Sequence, residues 1–419
     1  MHQSPAAIAG DCYTPNRLLS VAQAQTQILH CTQPLTAVER TALRASLGRV
    51  LAHDVMVRMD VPSQRNSAMD GYAFRHIDTD VHAQLSVVDS VFAGHPSNRQ
   101  LDIGQCVRIM TGAMLPDDAD TVVMQEHVSR EGDSITLQKL PKPGANVRHP
   151  GEDLRKGAVL LPAGRVINAA DLGVLASQGI AEINVLRRPR VAFFSTGDEL
   201  RSLGETLRDG DLYDSNRYTL YGLLAKLPVD MIDMGTIPDQ PLAIRQAFAD
   251  AAQLADVVIT SGGASVGDAD YVASILQAMG QVHFWKLAIK PGKPLAFGQL
   301  TERCLFFGLP GNPVAVMVTF LVFVRAALLR LSGQTVTDLP VYSAITRTPL
   351  KKAAGRQDYQ RGICRVNAQG QWHVSSSGAQ GSHILSSMST ANCLIVLPPD
   401  TTQVEVGECV NIIPFDTIL

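Results

Sequence analysis

The sequence lacks the features that mark several large classes of protein. Its seven cysteines are scattered and odd in number and form no C-x-x-C pair, which argues against a zinc site or a disulfide framework and favours reduced thiols in a cytoplasm. It also lacks a basic excess, because 36 Lys and Arg stand against 39 Asp and Glu for a formal net charge of -3. This balance gives no reason to expect a nucleic acid or a membrane surface as partner. Any anion-binding site is therefore expected to be local.

The sequence has little that resembles an export or membrane segment. Its N-terminus carries no Lys or Arg ahead of a short apolar run, so no secretory signal is predicted. The longest apolar run, Val314 to Leu329, is interrupted by Arg325 and is about one turn short of a comfortable membrane span. We interpret it as a buried helix. With 419 residues and 46% hydrophobic content, the chain is long enough for about two to four globular domains.

The most informative stretch is DVVITSGGASVGDADY, from Asp256 to Tyr271. Its apolar start predicts a short buried strand, and the glycines after Ser261 predict a loop that leads into a helix. Such a loop presents backbone N–H groups to an anion. Asp268 and Asp270 would repel a phosphate unless a hard cation lay between them, so one interpretation is a phosphate ligand with Mg²⁺. The other is a tight turn in which Asp270 caps the following helix.

The region from Arg190 onwards alternates between strand and helix patterns and predicts an open α/β sheet with mainly parallel strands. Ligands of such sheets lie beyond the carboxyl ends of the strands. Five loops at those ends carry acids, lysines and glycines, and together they favour a phosphate or nucleotide site. The expected strands are Val191–Ser195, Met231–Ile237, Val257–Thr260, Phe284–Ala288, Leu295–Phe297 and Cys304–Gly308. The loops are 196–199, 238–239, 261–270, 290–293 and 308–313.

The rest of the chain predicts three further regions. Helical periodicity at Arg17–Cys31, Ala37–Leu47 and Ala169–Gln178 predicts a helical linking domain formed by residues 1–54 and 156–187. Short strands with turn residues predict a β-rich domain at 55–155 and a small C-terminal β-barrel or sandwich at 335–419, which leaves 188–334 for the α/β domain. Polar loops at 65–73, 110–113 and 146–153, and RQDYQRG at 356–362, are unusual for connectors, although each alone is more often a plain turn.

Eight ordered blocks make the pattern specific: NSAMDGYA, GEDL, STGDEL, DSNR, TSGGASVGDADY, KLAIKPGKPLAFG, GLPGNPVA and QGSH. Nearly the whole chain resembles the molybdopterin molybdenumtransferases, or molybdenum insertases, relatives of the gephyrin C-terminal region. The resemblance implies a four-domain homodimer whose reaction takes adenylylated molybdopterin and molybdate and releases AMP in a Mg²⁺-dependent step. In this reaction molybdenum would be left on the dithiolene. A molybdopterin adenylyltransferase and recipient molybdoenzymes would be its partners.

The resemblance also implies roles for individual residues. Glycines and Ser261 would lie against phosphate oxygens, lysines would act as point charges, and carboxylates would hold Mg²⁺. The expected catalytic residues are Asp70, Asp153, Glu199, Asp239, Asp270, Lys286 and Lys290, and the metal ligands are Glu199, Asp239, Asp268 and Asp270. The expected substrate-binding residues are Thr111, Arg148, Thr196, Asp214, Ser261, Gly262, Gly263, Ser265, Gly267, Lys293, Pro310, Gly311, Asn312, Pro313, Arg361 and Ser382. For Asp214, a helix cap and a contact to a sugar hydroxyl both stay open.

The sequence leaves two alternatives open. A molybdopterin adenylyltransferase would explain the α/β domain but would not need the NSAMDGYA loop or the C-terminal domain. A non-catalytic molybdopterin-binding scaffold would keep the fold but could lose the acidic residues, which are all present. In the two-fold dimer that the resemblance implies, each site would take its α/β loops from one subunit and the Asp70 loop from the other.

Overall fold

The computed structural model describes residues 18–80, 83–262, 271–336 and 338–418. The chain divides into two compact units. The large unit comprises the described parts of Met1–Arg40, Gly48–Val50 and Val185–Leu419, and the small unit comprises Thr41–Leu47 and Leu51–Asn184. The four domain ranges expected from the sequence stay a prediction.

A six-stranded sheet forms the first half of the large unit. Five of its six strands run in the same direction, and only Pro294–Thr301 runs antiparallel to its two neighbours, so the expected open, mainly parallel α/β sheet is confirmed. In spatial order the strands are Asp230–Ile237, Arg190–Thr196, Val257–Ser261, Cys304–Leu309, Pro294–Thr301 and Gln281–Lys286. The last strand ends before the expected Phe284–Ala288 does, because the amide of Leu287 donates to the carbonyl of Lys293 and starts a loop.

Helices cover both faces of this sheet, which explains why its central strands Arg190–Thr196, Val257–Ser261 and Cys304–Leu309 are buried at nearly every position. Phe193 points into one core and Phe194 into the other. Val21–Cys31 begins after a capping box made by Ser20 and Gln23. The helices are Val21–Cys31, Ser215–Leu224, Pro241–Leu254, Tyr271–Met279, Pro313–Thr319 and Arg325–Leu331, the last two joined by a π-helical turn at Phe320–Val324.

The continuous helical stretch Pro313–Leu331 is the one helix among the described residues that is long and apolar enough to cross a membrane. Of its most apolar window, 72% is buried inside the large unit. Its side chains pack with Val21–Cys31, and Gln25 Nε2 donates to the carbonyl of Val322 over 3.1 Å. The interpretation as a buried core helix is confirmed.

The C-terminal part of the large unit is a closed five-stranded barrel, as expected. Its strands, in order around the barrel, are Gln357–Val366, Trp372–Ser376, Tyr342–Thr346, Cys409–Pro414 and Cys393–Leu397. A short pair, Leu350–Lys351 with Gln403–Val404, the helix Ser386–Thr390 and a 3₁₀ turn at Phe415–Thr417 complete it.

The interpretation of RQDYQRG as a loop is wrong. Except for Arg356, these residues lie in the longest barrel strand, Gln357–Val366. Asp358, Gln360 and Arg361 are buried polar residues that bond inside the protein, so the stretch lacks the apolar alternation that marks a strand.

The small unit is built on a second six-stranded sheet, which confirms the expected β-rich region. Its strands in spatial order are Thr121–Met124, Gly71–Phe74, Gln105–Ile109, Gln84–Val91, Ser134–Leu137 and Val128–Glu131. Two short antiparallel pairs are Asn66–Ser67 with Val147–Arg148, and Val55–Met56 with Val159–Leu161. The unit also contains the helix Ala169–Ser177 and 3₁₀ turns at Leu43–Ser46, His76–Asp78 and Gln125–His127.

The helix expected at Ala37–Leu47 is wrong. The chain forms the strand Val38–Ala42 and then the 3₁₀ turn Leu43–Ser46. Val38 and Leu47 are 46% and 53% exposed, so the apolar residues that suggested one helical face are not buried together. The amide of Leu43 donates to the distant carbonyl of Ala181, which replaces the local bonds of a helix.

Candidate functional site

The glycine loop starts at the carboxyl end of the central parallel strand, where it was expected. Ser261 is the last residue of Val257–Ser261, and Gly262 follows with φ +91°. A Cβ on Gly262 would lie 3.1 Å from the carbonyl oxygen of Thr196 on the neighbouring strand. Gly262 therefore allows both the left-handed backbone and the close approach of these two loops. The expected site residues Gly263, Ser265, Gly267, Asp268 and Asp270 lie outside the described residues.

Asn216 links two of the loops at this edge. Its Nδ2 donates to Ser261 Oγ and to the carbonyl oxygen of Gly311, each over 2.7 Å. The carbonyl of Gly311 fixes the orientation of the amide, because only the nitrogen can donate to it. Asn216 Oδ1 is buried and accepts no hydrogen bond from the residues described. Asn216 was not among the expected site residues, although its place in the DSNR block could have suggested it.

Asp214 caps the helix Ser215–Leu224. Its side chain is buried and accepts hydrogen bonds from the amide of Arg217 over 3.1 Å and from Ser195 Oγ over 3.0 Å. Thr236 Oγ1 also donates to it over 3.2 Å. Of the two roles left open for Asp214, the cap is confirmed, and a ligand contact stays a prediction.

Several carboxylates lie at the loop after the strand Arg190–Thr196, at the same edge of the sheet. A Cβ built on Gly197 would lie 2.6 Å from Oε2 of Glu199, so the Glu199 carboxylate folds back over the loop after Thr196. The amide of Asp239 donates to Oδ1 of Asp198 over 3.0 Å, which ties the Asp239 loop to this one. These carboxyl groups are exposed and offer hard oxygen ligands. Among the residues described, no group of three or more His, Cys, Asp or Glu is arranged to hold a metal ion.

Lys286 ends the last strand of the sheet, and Lys290 and Lys293 lie in the loop that follows it. The amide of Leu287 donates to the carbonyl of Lys293 over 2.7 Å across this loop. Lys286 and Lys293 are exposed, and neither ammonium has an ion-pair partner within the described part of the chain. Lys290 differs, because its Nζ lies 3.2 Å from Oδ2 of Asp358 on the barrel. Gly292 has φ +108°, and a Cβ there would lie 2.4 Å from Cγ2 of Thr319. The loop therefore packs closely against the helix Pro313–Thr319.

The GLPGNP loop leads into that core helix and meets the barrel. Pro310 is buried, Gly311 and Asn312 are exposed, and Pro313 takes the first helical position. The amide of Val314 donates to the carbonyl of Ser382 over 3.1 Å, so the QGSH loop lies at the start of the helix. The structure brings these expected residues together at one edge.

Arg361 is buried beneath the QGSH loop and donates hydrogen bonds to it. It is 1% exposed, and burial lowers the pKa of its guanidinium. Nη2 donates to the carbonyl of Gly381 over 3.1 Å, and Nε donates to Ser387 Oγ over 3.1 Å. The amide of Arg361 donates to Oε1 of Gln380 over 2.8 Å. These bonds hold the loop that carries Ser382, and a direct ligand contact by Arg361 stays a prediction.

In the small unit, the three polar loops noted in the sequence come together. The amide and the hydroxyl of Thr111 both donate to Oδ1 of Asp70 over 2.7 Å, and these bonds hold the pKa of Asp70 below its usual value. Arg148 pairs with Asn66 across the short sheet, so it lies beside the NSAMDGYA loop. The amide of Asp153 donates to the carbonyl of Val61 over 2.9 Å. Asp70, Thr111, Arg148 and Asp153 are all exposed.

Three family models match consecutive parts of the chain. Residues 19–179 match the family model "MoeA N-terminal region (domain I and II)", residues 192–330 match "Probable molybdopterin binding domain", and residues 343–415 match "MoeA C-terminal region (domain IV)". A molybdopterin molybdenumtransferase of Haemophilus influenzae is 46% identical over 404 residues, which cover 96% of this chain and 100% of that protein. The chain belongs to the molybdopterin molybdenumtransferase family.

Two further relatives extend the comparison. Gephyrin of Dictyostelium discoideum is 33% identical over 91% of this chain and 60% of its own length. The crystal structure of the molybdopterin biosynthesis protein moeA from Pyrococcus horikoshii OT3 has a TM-score of 0.81 at 29% identity, over 94% of this chain and 99% of that chain. Membership of the molybdopterin molybdenumtransferase family makes the chain a transferase of molybdenum cofactor biosynthesis, as expected from the eight sequence blocks.

Proposed function

We propose that this enzyme inserts molybdate into adenylylated molybdopterin and releases AMP. The observation that carries this proposal is the convergence of five loops at one edge of the α/β sheet. Gly262, the exposed Lys293 and the carboxylate of Glu199 lie on these loops, and the exposed Lys286 ends the strand that leads into one of them. An anion cradle beside acidic groups suits a phosphate ligand that arrives with a divalent cation.

In this proposal the bond that breaks is the pyrophosphate linkage between the pterin phosphate and AMP. The oxygen of a water molecule forms a new bond to one phosphorus as the bridging P–O bond breaks, and the other phosphate leaves with the bridging oxygen, so that AMP and the pterin phosphate result. Molybdenum forms bonds to the two dithiolene sulfurs, and the oxygens that these replace leave as water with the thiol protons. Backbone amides after Ser261 would donate hydrogen bonds to phosphate oxygens, and the ammonium groups of Lys286, Lys290 and Lys293 would balance the charge of the phosphates or of molybdate. Asn216 holds the Ser261 and Gly311 loops together, so that these groups face one ligand.

The donor set also fits Mg²⁺, which prefers carboxylate oxygens. Glu199 folds over Gly197, and Asp239 is tied through its amide to Asp198, so exposed carboxylates of neighbouring loops lie at the same edge. Glu199 and Asp239 would hold the ion together with Asp268 and Asp270. A bound Mg²⁺ would supply electrostatic polarisation of the phosphate groups. Arg361 and the QGSH loop would keep the start of the core helix in place during this step.

The proposal includes the assembly that the family resemblance implies. The enzyme would act as a cytoplasmic homodimer, with Asp70, Thr111, Arg148 and Asp153 of one subunit completing the α/β site of the other. The free thiols of all six described cysteines suit a reducing compartment. An adenylyltransferase that supplies the substrate and molybdoenzymes that receive the product would be its partners.

The test is AMP release from adenylylated molybdopterin, measured with and without molybdate and Mg²⁺. We expect release that needs both. Glu199→Gln should lower it, whereas Glu302→Gln, which lies at the opposite edge of the sheet, should not. Formation of adenylylated molybdopterin from ATP by this protein would instead favour the adenylyltransferase. Binding of molybdopterin without any turnover would favour the scaffold.

A further inference from the structure

Asp358 is a buried carboxylate next to one of the expected site lysines. Its side chain is 3% exposed, and Oδ2 lies 3.2 Å from Nζ of Lys290. Gln360 Nε2 also donates to Oδ2 over 3.3 Å. A carboxylate taken out of water is unfavourable unless charged or hydrogen-bonding partners replace the water. The pairing with Lys290 is therefore a built feature of the barrel and not a chance contact at the surface.

The main chain fixes both members of this pair. Ile289–Lys290 forms a short parallel strand with Gln357–Asp358, in which Lys290 is directly opposite Asp358. The amide of Gln357 donates to the carbonyl of Ala288 over 2.8 Å and extends the pairing. The Lys290 side chain is nevertheless 41% exposed. Its ammonium can thus stay bonded to Asp358 on one side and reach a ligand on the other.

Asp358 also interacts electrostatically with a second lysine, Lys352. Lys352 Nζ donates to the carbonyls of Arg356 over 2.9 Å and of Pro399 over 3.2 Å. Burial lowers the pKa of Lys352, the Lys290 charge lowers it further, and the Asp358 charge opposes both effects. Asp358 therefore also offsets the repulsion between Lys290 and Lys352. Without this carboxylate, the flexible Lys290 side chain would turn away from Lys352 into water.

We propose that Asp358 is a positioning residue, which holds the ammonium of Lys290 at the edge of the α/β sheet where the anionic substrate binds. It acts through Lys290 and does not itself contact the substrate. The identity of the substrate rests on the proposed function, whereas the pairing itself does not. This role also gives a reason for the short parallel pairing between the barrel strand and the α/β part of the unit, because that pairing places Asp358 opposite Lys290.

The functional test is a double-mutant cycle. Asp358→Asn keeps the size and the polar atoms of the side chain but removes the charge, and Lys290→Met removes the ammonium. We expect Asp358→Asn to raise KM for adenylylated molybdopterin on the order of three- to tenfold with little change in kcat, because a positioned charge contributes mainly to substrate binding. If Asp358 acts through Lys290, the double variant should have the same KM as Lys290→Met alone.

A matched control is Asp256→Asn. Asp256 also pairs with a cation of the large unit, because its two carboxylate oxygens each lie 2.9 Å from a nitrogen of Arg187. That pair lies at the start of the strand Val257–Ser261, at the opposite end from Gly262. Asp256→Asn should reduce stability and leave KM unchanged. If the KM effects of Asp358→Asn and Lys290→Met multiply in the double variant, or if Asp256→Asn raises KM as much, the positioning role is overturned.

Amine labelling tests the pairing without any assumption about the reaction. Brief treatment with acetic anhydride, followed by peptide mass spectrometry, compares Lys290 with the exposed Lys286 and Lys293 on the same loop. We expect Lys290 to react several-fold more slowly in the wild-type protein and as fast as its neighbours in Asp358→Asn. Equal rates in the wild-type protein, or slow reaction in both, would overturn the inference. If the wild-type protein releases no AMP, the proposed function fails, and the labelling result alone decides the pairing.

Discussion

One oxygen of Asp70, Oδ1, accepts two hydrogen bonds from the same residue, Thr111, one from its amide and one from its hydroxyl, each over 2.7 Å. These bonds join residues 68–70 of the NSAMDGYA block, which lie between the strands Asn66–Ser67 and Gly71–Phe74, to the loop after the strand Gln105–Ile109. They fix the direction of an exposed carboxylate that would otherwise rotate freely. An ionised and oriented Asp70 is suited to accept a proton or a hydrogen bond, as the catalytic role that we expect for it would require.

Thr111→Val should raise the pKa of Asp70 toward its usual value, because the hydroxyl donor is lost while the amide donor remains. A lowered native pKa stabilises the fold above the unfolded pKa of about 3.9 and ceases to do so as the pH falls through the native pKa. The stability of wild type and variant should therefore differ at neutral pH and converge in acid. NMR titration of the ¹³C-labelled carboxyl carbon measures the pKa directly.

Ser97→Ala is the control for that titration. The Ser97 hydroxyl lowers the pKa of Asp89 in the same unit. This variant should raise the pKa of Asp89 and leave that of Asp70 unchanged. A Thr111→Val titration curve identical to wild type would show that the hydroxyl does not hold Asp70.

Asn216→Ala should destabilise the large unit by about 1–3 kcal/mol, because two hydrogen bonds between loops are lost at about 1 kcal/mol each. It should also weaken substrate binding, since Ser261 and Gly311 are no longer tied together. Urea unfolding and KM measure the two effects. Thr219→Ala, on the same helix, removes only a bond to the local carbonyl of Ser215 and should change neither much. Equal effects of the two variants would contradict the linking role.

Gly292→Ala should destabilise the protein by more than Gly355→Ala. Both glycines have positive φ, +108° and +91°, so both variants pay roughly 1–2 kcal/mol for the backbone conformation. A Cβ on Gly292 would also clash with Cγ2 of Thr319, 2.4 Å away, whereas a Cβ on Gly355 would meet no atom within 4 Å. This overpacking adds roughly 1–3 kcal/mol to the cost of Gly292→Ala. Thr319→Ser removes that methyl group and should recover part of the loss in thermal unfolding. Equal stabilities of the two alanine variants would show that the loop around Gly292 shifts to accept the added methyl group without loss of stability.

If the enzyme is the homodimer proposed above, Asp70→Asn and Glu199→Gln should each inactivate it, yet a mixture of the two should regain activity if each site draws these residues from different subunits. A heterodimer then has one site with both changes and one with neither. Random pairing gives roughly half heterodimers and so roughly a quarter of wild-type activity per site. AMP release by co-expressed variants, with heterodimers verified by two affinity tags, measures this. Verified heterodimers without activity would contradict the shared site.

The sequence by itself determined much of the fold and the family. The apolar strands of the α/β sheet are buried on both faces, so Val257–Ser261 and its neighbours could be recognised without knowing their partners. The glycine after Ser261 and the proline at the start of the core helix mark backbone positions that few other residues accept. These are local constraints. They act within a few residues and leave a direct trace in the order of residue types.

Tertiary structure alone decided the rest. Val38–Ala42 is a strand, not the helix that its spacing suggested, because its neighbours bond across the chain, as Leu43 does to Ala181. Asp358 and Arg361 looked like loop residues because the partners that allow polar groups to be buried are remote in sequence, as Lys290 is 68 residues from Asp358. Asn216 bonds to Ser261 and Gly311, which are 45 and 95 residues away, so its role depends on contacts that no local pattern records.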